Sequence, residues 1–185
     1  MNRALFGHLA RRYALGCAAC GLLPILLGIV MGIVWPEYRA QLKTAGSLLK
    51  FVQGLLRSDL LPPDTSTFFF QIPFAHPMTM LALILSVALP TLALPAGARG
   101  RGTLDLLLST GLTRRQMVAT TSLFSVPFAV LLGLAPFVGT WLGARISVID
   151  AELPMHAFLR VSGEAIVLGF FFGGLSQLIL SLIHI

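Results

Sequence analysis

The sequence predicts an all-α, polytopic integral membrane protein with four transmembrane helices and a cytoplasmic amino terminus. Three observations carry that prediction. Apolar residues make up 56% of the 185 residues and charged residues only 11%, whereas a soluble domain carries about 25% charged residues to cover its water-facing surface. Mean hydropathy is +0.89. Finally, four stretches lack Lys, Arg, Asp and Glu for long enough to cross a hydrocarbon core of about 30 Å, which takes roughly 20 helical residues.

The elements follow in order, within a single transmembrane domain 1–185. Span one is expected at about 14–35, inside the charge-free run Tyr13–Pro36. It is too long for the apolar part of a signal peptide and lacks a small-residue cleavage site. An external segment, 36–76, opens around Trp35-Pro36-Glu37-Tyr38 with aromatics suited to a membrane interface. It continues with Leu48, Leu49, Val52, Leu55 and Leu56 on one face, opposite Lys43, Lys50, Gln53 and Arg57. That pattern predicts a helix lying on the membrane surface until Leu61-Pro62-Pro63-Asp64 stops it. Span two is expected at 77–95, within the charge-free run Thr65–Ala98, and span three at 117–143. Span four is placed at 165–185, beginning near Ala165. Hydrocarbon offers backbone groups no partners, so such runs must be helices or closed barrels, and these are too apolar for the alternation of barrel strands.

Charge sets the direction. Arg3, Arg11, Arg12, Arg99, Arg101, Arg114 and Arg115 flank spans in two short segments that hold one acid, Asp105. The remaining six bases are balanced by six acids, so the whole formal charge of +6 falls on the first set. By the positive-inside rule the amino terminus and the loop 96–116 are cytoplasmic. This basic excess marks cytoplasmic loops, so no nucleic-acid partner is expected.

Within the spans, Pro24, Pro90, Pro127 and Pro136 predict kinks. Gly28/Gly32, Gly139/Gly143 and Gly169/Gly173 have the spacing that lets helices approach closely in lipid, although 18 glycines can also produce it by chance. No charged residue is assigned to a span, which argues against ion coupling. Cys17 and Cys20 open an apolar helix and read as small packing residues rather than a redox pair. His8, His76 and His156 lie in separate segments, so no metal cluster is expected, and His76-Pro77 and Trp141 read as interface residues. No phosphate loop of the form GxxxxGK[ST] occurs, since both lysines, Lys43 and Lys50, are external. With no Ser, His and carboxylate grouping either, the chain is not expected to be an enzyme or to bind a cofactor.

The cytoplasmic loop holds the most specific local pattern. Thr103 can cap a short helix with Asp105 in its first turn, and Leu104, Leu107 and Leu108 form one apolar face. Gly111 is a natural stop, and Thr113 with Gln116 forms a capping box that starts the next helix. The leucines need a surface. It is either the membrane interface, with arginines on lipid phosphates, or a groove on a cytoplasmic partner.

Gly102-Thr103-Leu104-Asp105-Leu106-Leu107-Leu108-Ser109-Thr110, followed by Leu112-Thr113-Arg114-Arg115, resembles the RGTLDLLLATPVSRR signature of ABC-2 type transporter permeases. Gly169-Phe170-Phe171-Phe172-Gly173-Gly174-Leu175 is similar to that family's GLAFGALAL, and a basic amino-terminal elbow and a long external segment match in layout. The resemblance covers nearly the whole chain in layout, with about a dozen specific residues. It implies a permease subunit of an ATP-driven exporter in a bacterial cytoplasmic membrane. The 103–110 helix would dock on a separate ABC ATPase subunit, which binds the ATP, beside a second copy or a homologous permease. Gly102, Thr103, Leu104, Asp105, Leu107, Leu108, Arg114 and Arg115 would form the coupling segment. Two departures stand out: Ala98-Arg99-Gly100-Arg101 where the family has acids, and Gly111 where it has proline. The docking contact or the partner is therefore expected to differ. Family members carry six spans, and Leu180–Ile185 resembles a translated sequencing-adapter tail, so two further spans are expected beyond these four. Two other readings stay open: a non-transporting membrane scaffold or assembly protein, and a lipid-export permease of another ABC type.

Overall fold

The computed structural model describes residues 3–44, 66–100, 102, 109, 111, 113–147 and 153–184. Five helices build it: α1 (Arg3–Thr44), α2 (Ser66–Ala75), α3 (Pro77–Gly100), α4 (Arg114–Ile146) and α5 (Met155–His184). No strand occurs among the described residues. Four segments are long and apolar enough to cross a membrane: Leu5–Gln41, Phe69–Leu92, Arg115–Ile146 and Met155–Ile179. Large apolar side chains such as Leu15, Ile33, Leu131, Val167 and Phe171 are exposed on the outside of the bundle, as expected where hydrocarbon replaces water.

All four long helices outrun the expected spans, α1 and α5 by the most. α1 begins at Arg3 and passes Pro24 and Pro36 without a break, so no elbow separates the basic terminus from the span. The cause is packing. Leu5 and Leu9 are buried against Met117 and Phe124 of α4, while Arg11 and Arg12 sit on the exposed face. Arg11 donates from Nε to the Gly7 carbonyl (3.4 Å), and the Arg12 guanidinium lies 5.6 Å from the centre of the Tyr13 ring. α5 begins at Met155, ten residues before Ala165. Its first turns carry Arg160 and Glu164, an i,i+4 ion pair at 3.6 Å that ended the charge-free run and hid the start of the helix. The helical segment Met155–Ile179 thus starts ten residues before the expected span and takes in both charges.

The external segment also differs. The amphipathic stretch from Leu48 to Arg57 lies outside the described residues. Residues 66–75, however, form α2, and the break between α2 and α3 falls at His76. Proline disfavours the helical conformation of the residue before it and supplies no N–H itself. His76 compensates locally. Its carbonyl accepts from Thr79 (2.9 Å) and Met80 (3.2 Å), and its Nδ1 accepts from the Met78 N–H (3.3 Å). His76 therefore caps α3, a structural task that its reading as an interface residue does not include.

Neighbouring contacts give the helix directions. Gly28 and Gly32 of α1 meet Gly139 and Gly143 of α4, so these two helices run side by side in the same direction. α5 runs against α4, since Gly133 meets Ile166, Gly169 meets Ala129, and Gln177 Nε2 donates to Ser122 Oγ (2.6 Å). α3 runs against α1, where the Cys17 thiol donates to the Ser86 carbonyl (3.6 Å). That bond has a clear origin. Pro90 has no N–H, which leaves the carbonyl four residues back, Ser86, without its helical partner. A neighbouring helix satisfies it, the usual remedy for proline in an apolar medium. Cys17 and Cys20 are both free thiols.

Candidate functional site

The bundle has two chemically different ends. At the first, here called the basic end, Leu5, Leu9, Met117 and Phe124 form a core with Phe6, Tyr13 and Phe128 around it. Phe6 meets Phe124 edge-on at 5.5 Å. Arg11, Arg12 and Arg115 are exposed around this core. The loop carrying the signature-like segment leaves and re-enters the bundle here.

The two ends of that segment are well defined. Gly102 has φ +65° and Gly111 has φ +80°, the left-handed region that glycine reaches without strain. A Cβ at either would meet nothing within 4 Å, so their need for glycine comes from backbone conformation alone. Proline, locked near −65°, could not occupy position 111 in this conformation. Ser109 is helical and exposed. Thr113 then caps α4 as expected: its Oγ1 accepts from Gln116 N and its N–H donates to Gln116 Oε1, both at 3.2 Å. Arg115 is exposed beside the cap. Arg114 opens α4. Thr103, Leu104, Asp105, Leu107 and Leu108 lie outside the described residues, as does the side chain of Arg114.

The opposite, aromatic end is closed by Trp35, Phe69, Phe70, Phe74 and Phe158. Trp35 is only 3% exposed, so it is a core residue of this end rather than an exposed interface aromatic. Its ring lies 5.3 Å from Phe69 and 6.1 Å from Phe70, and Phe74 stacks on Phe158 at 5.5 Å. α2 supplies three of these rings and is held to α4 by Thr140 Oγ1 donating to the Phe70 carbonyl (3.4 Å). Trp141 is 40% exposed, with the Arg145 guanidinium 4.8 Å above its ring. That arrangement suits a membrane interface, where one face of a ring is apolar and the other wet.

Along the bundle from one end to the other, sequence reasoning missed a set of buried hydroxyls: Ser86, Thr91, Thr120, Thr121, Thr140 and Ser162. Thr91, Thr120 and Thr121 donate back to carbonyls of their own helices, and Trp35 Nε1, Thr79 Oγ1, Ser86 Oγ and Ser162 Oγ have no partner. No spacing marks them, since they fall at irregular intervals on three helices, and a serine or threonine in an apolar run reads alike whether it is buried or exposed. Among the described residues no group of three His, Cys, Asp or Glu side chains converges as a metal site would require.

Comparison with protein-family models, with curated proteins and with solved structures finds no match. Four helices long and apolar enough to cross a membrane are accordingly the firm ground for function.

Proposed function

We propose that this chain is the permease subunit of an ABC-2 type ATP-driven exporter, with its amino terminus in the cytoplasm of a bacterial cell. The observation that supports this reading is the Gly102–Arg115 segment. It resembles the family's coupling signature, holds left-handed glycines at Gly102 and Gly111, and leads into α4 at the end of the bundle that carries Arg11, Arg12 and Arg115. In this reading ATP is bound by a separate ATPase, and closure of that partner pushes on the 103–110 helix. Leu104, Leu107 and Leu108 form the buried contact, and Arg114 and Arg115 hold lipid phosphates or the rim of the ATPase. The capping box at Thr113 and Gln116 starts α4 just after that segment, and α4 is one continuous helix to Ile146 into which a push could be delivered.

The test is Leu107→Asp. A carboxylate on the apolar face should reduce ATP-driven transport in vesicles at least tenfold while membrane insertion and helix content stay unchanged. Full transport by the variant, or failure of any ATPase with a phosphate loop to copurify with the wild-type protein, removes the proposal.

A further inference from the structure

Cys17 and Cys20 are one turn apart on α1, which is a continuous helix from Arg3 to Thr44. Residues three apart on a helix share a face, with Cβ atoms about 5–6 Å from each other. Both cysteines face inward. Cys20 packs on the core of Leu83, Leu132 and Ala165, and Cys17 is 6% exposed. A cysteine kept for packing alone sits among apolar groups. Cys17 instead meets the Ser86 carbonyl at 3.6 Å, with the Ser86 side chain and Cys20 beside it.

Ser86 makes this place more than a pair of thiols. Its side chain is buried, and its Oγ has no hydrogen-bond partner. A helical serine can donate to the carbonyl four residues back, as Ser176 does to Phe172 (2.7 Å), so an idle buried hydroxyl is an unmet demand. The Ser86 carbonyl, freed by Pro90, is held only by a thiol, which is a weak donor. Two sulfurs and two oxygens thus gather at the α1–α3 seam, inside the charge-free runs Tyr13–Pro36 and Thr65–Ala98. Sulfur pairs select soft metals. Zinc requires four ligands and iron–sulfur clusters four cysteines, twice the sulfur supplied here. A soft monovalent ion is satisfied by two sulfurs in line. Such an ion takes the place of one thiol proton without changing the net charge of the seam. The Ser86 carbonyl, no longer holding that proton, then faces a cation. Loss of the second proton leaves one negative charge, and the idle hydroxyl is a donor for it.

We propose that Cys17 and Cys20, with Ser86 beside them, form a two-sulfur site for a soft monovalent metal ion of the Cu(I) class. It rests on the packing of α1 against α3 and on no part of the exporter reading. The full chain, purified in detergent and kept reduced without oxygen, is titrated with Cu(I) against a coloured Cu(I) chelator. One ion should bind per chain, Ag(I) should displace it, and Zn(II) at the same concentration should not. X-ray absorption at the copper edge should show two sulfur neighbours. Cys17→Ser and Cys20→Ser should each abolish this binding, with helix content by circular dichroism unchanged. Ser86→Ala should weaken it about tenfold at the same stoichiometry, the effect of losing a group that supports a ligand. Failure of the wild-type chain to take up one Cu(I), or a copper shell of nitrogen or oxygen, overturns the proposal whether or not the variants fold. Binding that persists in the Cys17→Ser, Cys20→Ser double variant also overturns it.

Discussion

The α1–α4 seam and the α4–α5 seam use the same residue, glycine, for different purposes. In the first, backbone meets backbone: a Cβ on Gly139 would sit 2.7 Å from Ile25 Cα and Pro24 O, and Cβ atoms on Gly28, Gly32 and Gly143 would also strike main chain. In the second, which also takes in α3 through Leu83 and Val87, glycine makes room more for side chains, although a Cβ on Gly133 would lie 3.0 Å from Ile166 N as well as against its side chain. Gly169 faces Ala129 Cβ at 3.2 Å and Leu83 Cδ1 at 3.4 Å, and Gly173 faces Val87 Cγ1 at 2.9 Å. A side chain can change rotamer, whereas a helix backbone can only move as a body. The first seam therefore joins α1 and α4 into one unit, and the second leaves α3 and α5 able to adjust against it. If the chain moves during a working cycle, α5 and α3 shift on a fixed α1–α4 pair.

Substitutions can break or sharpen this contrast. The largest effect is expected from Gly139→Leu, which should destabilise the folded bundle by about 3 kcal/mol or more, since overpacking against backbone leaves no rotamer escape. Thermal unfolding in detergent checks it, and near-normal stability would mean that the seam is not backbone-tight. A smaller effect is expected from Gln177→Leu, which removes the 2.6 Å bond to Ser122 between α5 and α4. Interhelical bonds in membranes are worth about 0.6 kcal/mol on average, so the loss should be about 1 kcal/mol or less by the same measurement. Smallest of all is Gly16→Ala. Gly16 is on the same helix as Gly28, but its Cβ would meet nothing within 4 Å, so stability should change by less than about 1 kcal/mol. A large loss there would show that α1 is sensitive to glycine replacement for reasons other than the seam.

Legibility in the sequence followed the range of the interaction. The capping box is a four-residue pattern, and it forms as read. Gly111 was legible as a stop because a left-handed residue is a local demand of the backbone. The small-residue pairs were visible but ambiguous. Spacing says that a helix can approach closely, not which helix meets it. Charge misled the reading of α5, because Arg160 and Glu164 pair with each other one turn apart and so interrupt the apolar run without interrupting the helix. α2 was hidden because its aromatic run and proline look the same at an interface as in a buried cap, and only Phe158 and Trp35 packing on it decide between them.

From composition and charge-free runs alone, the chain is determined to be helical and apolar enough to cross a membrane four times, because that depends only on how many apolar residues follow one another. Local chemistry further determines where α4 starts and that the chain turns through a left-handed residue at Gly111. Tertiary structure alone decided that α1 lies along α4, that Cys17 repairs the carbonyl freed by Pro90, and that α5 runs back along α4 through Gly133 and Gly169. Each of these depends on which residues of distant segments come level with one another. Depth and partnership belong to pairs of helices, and no single stretch of sequence carries them.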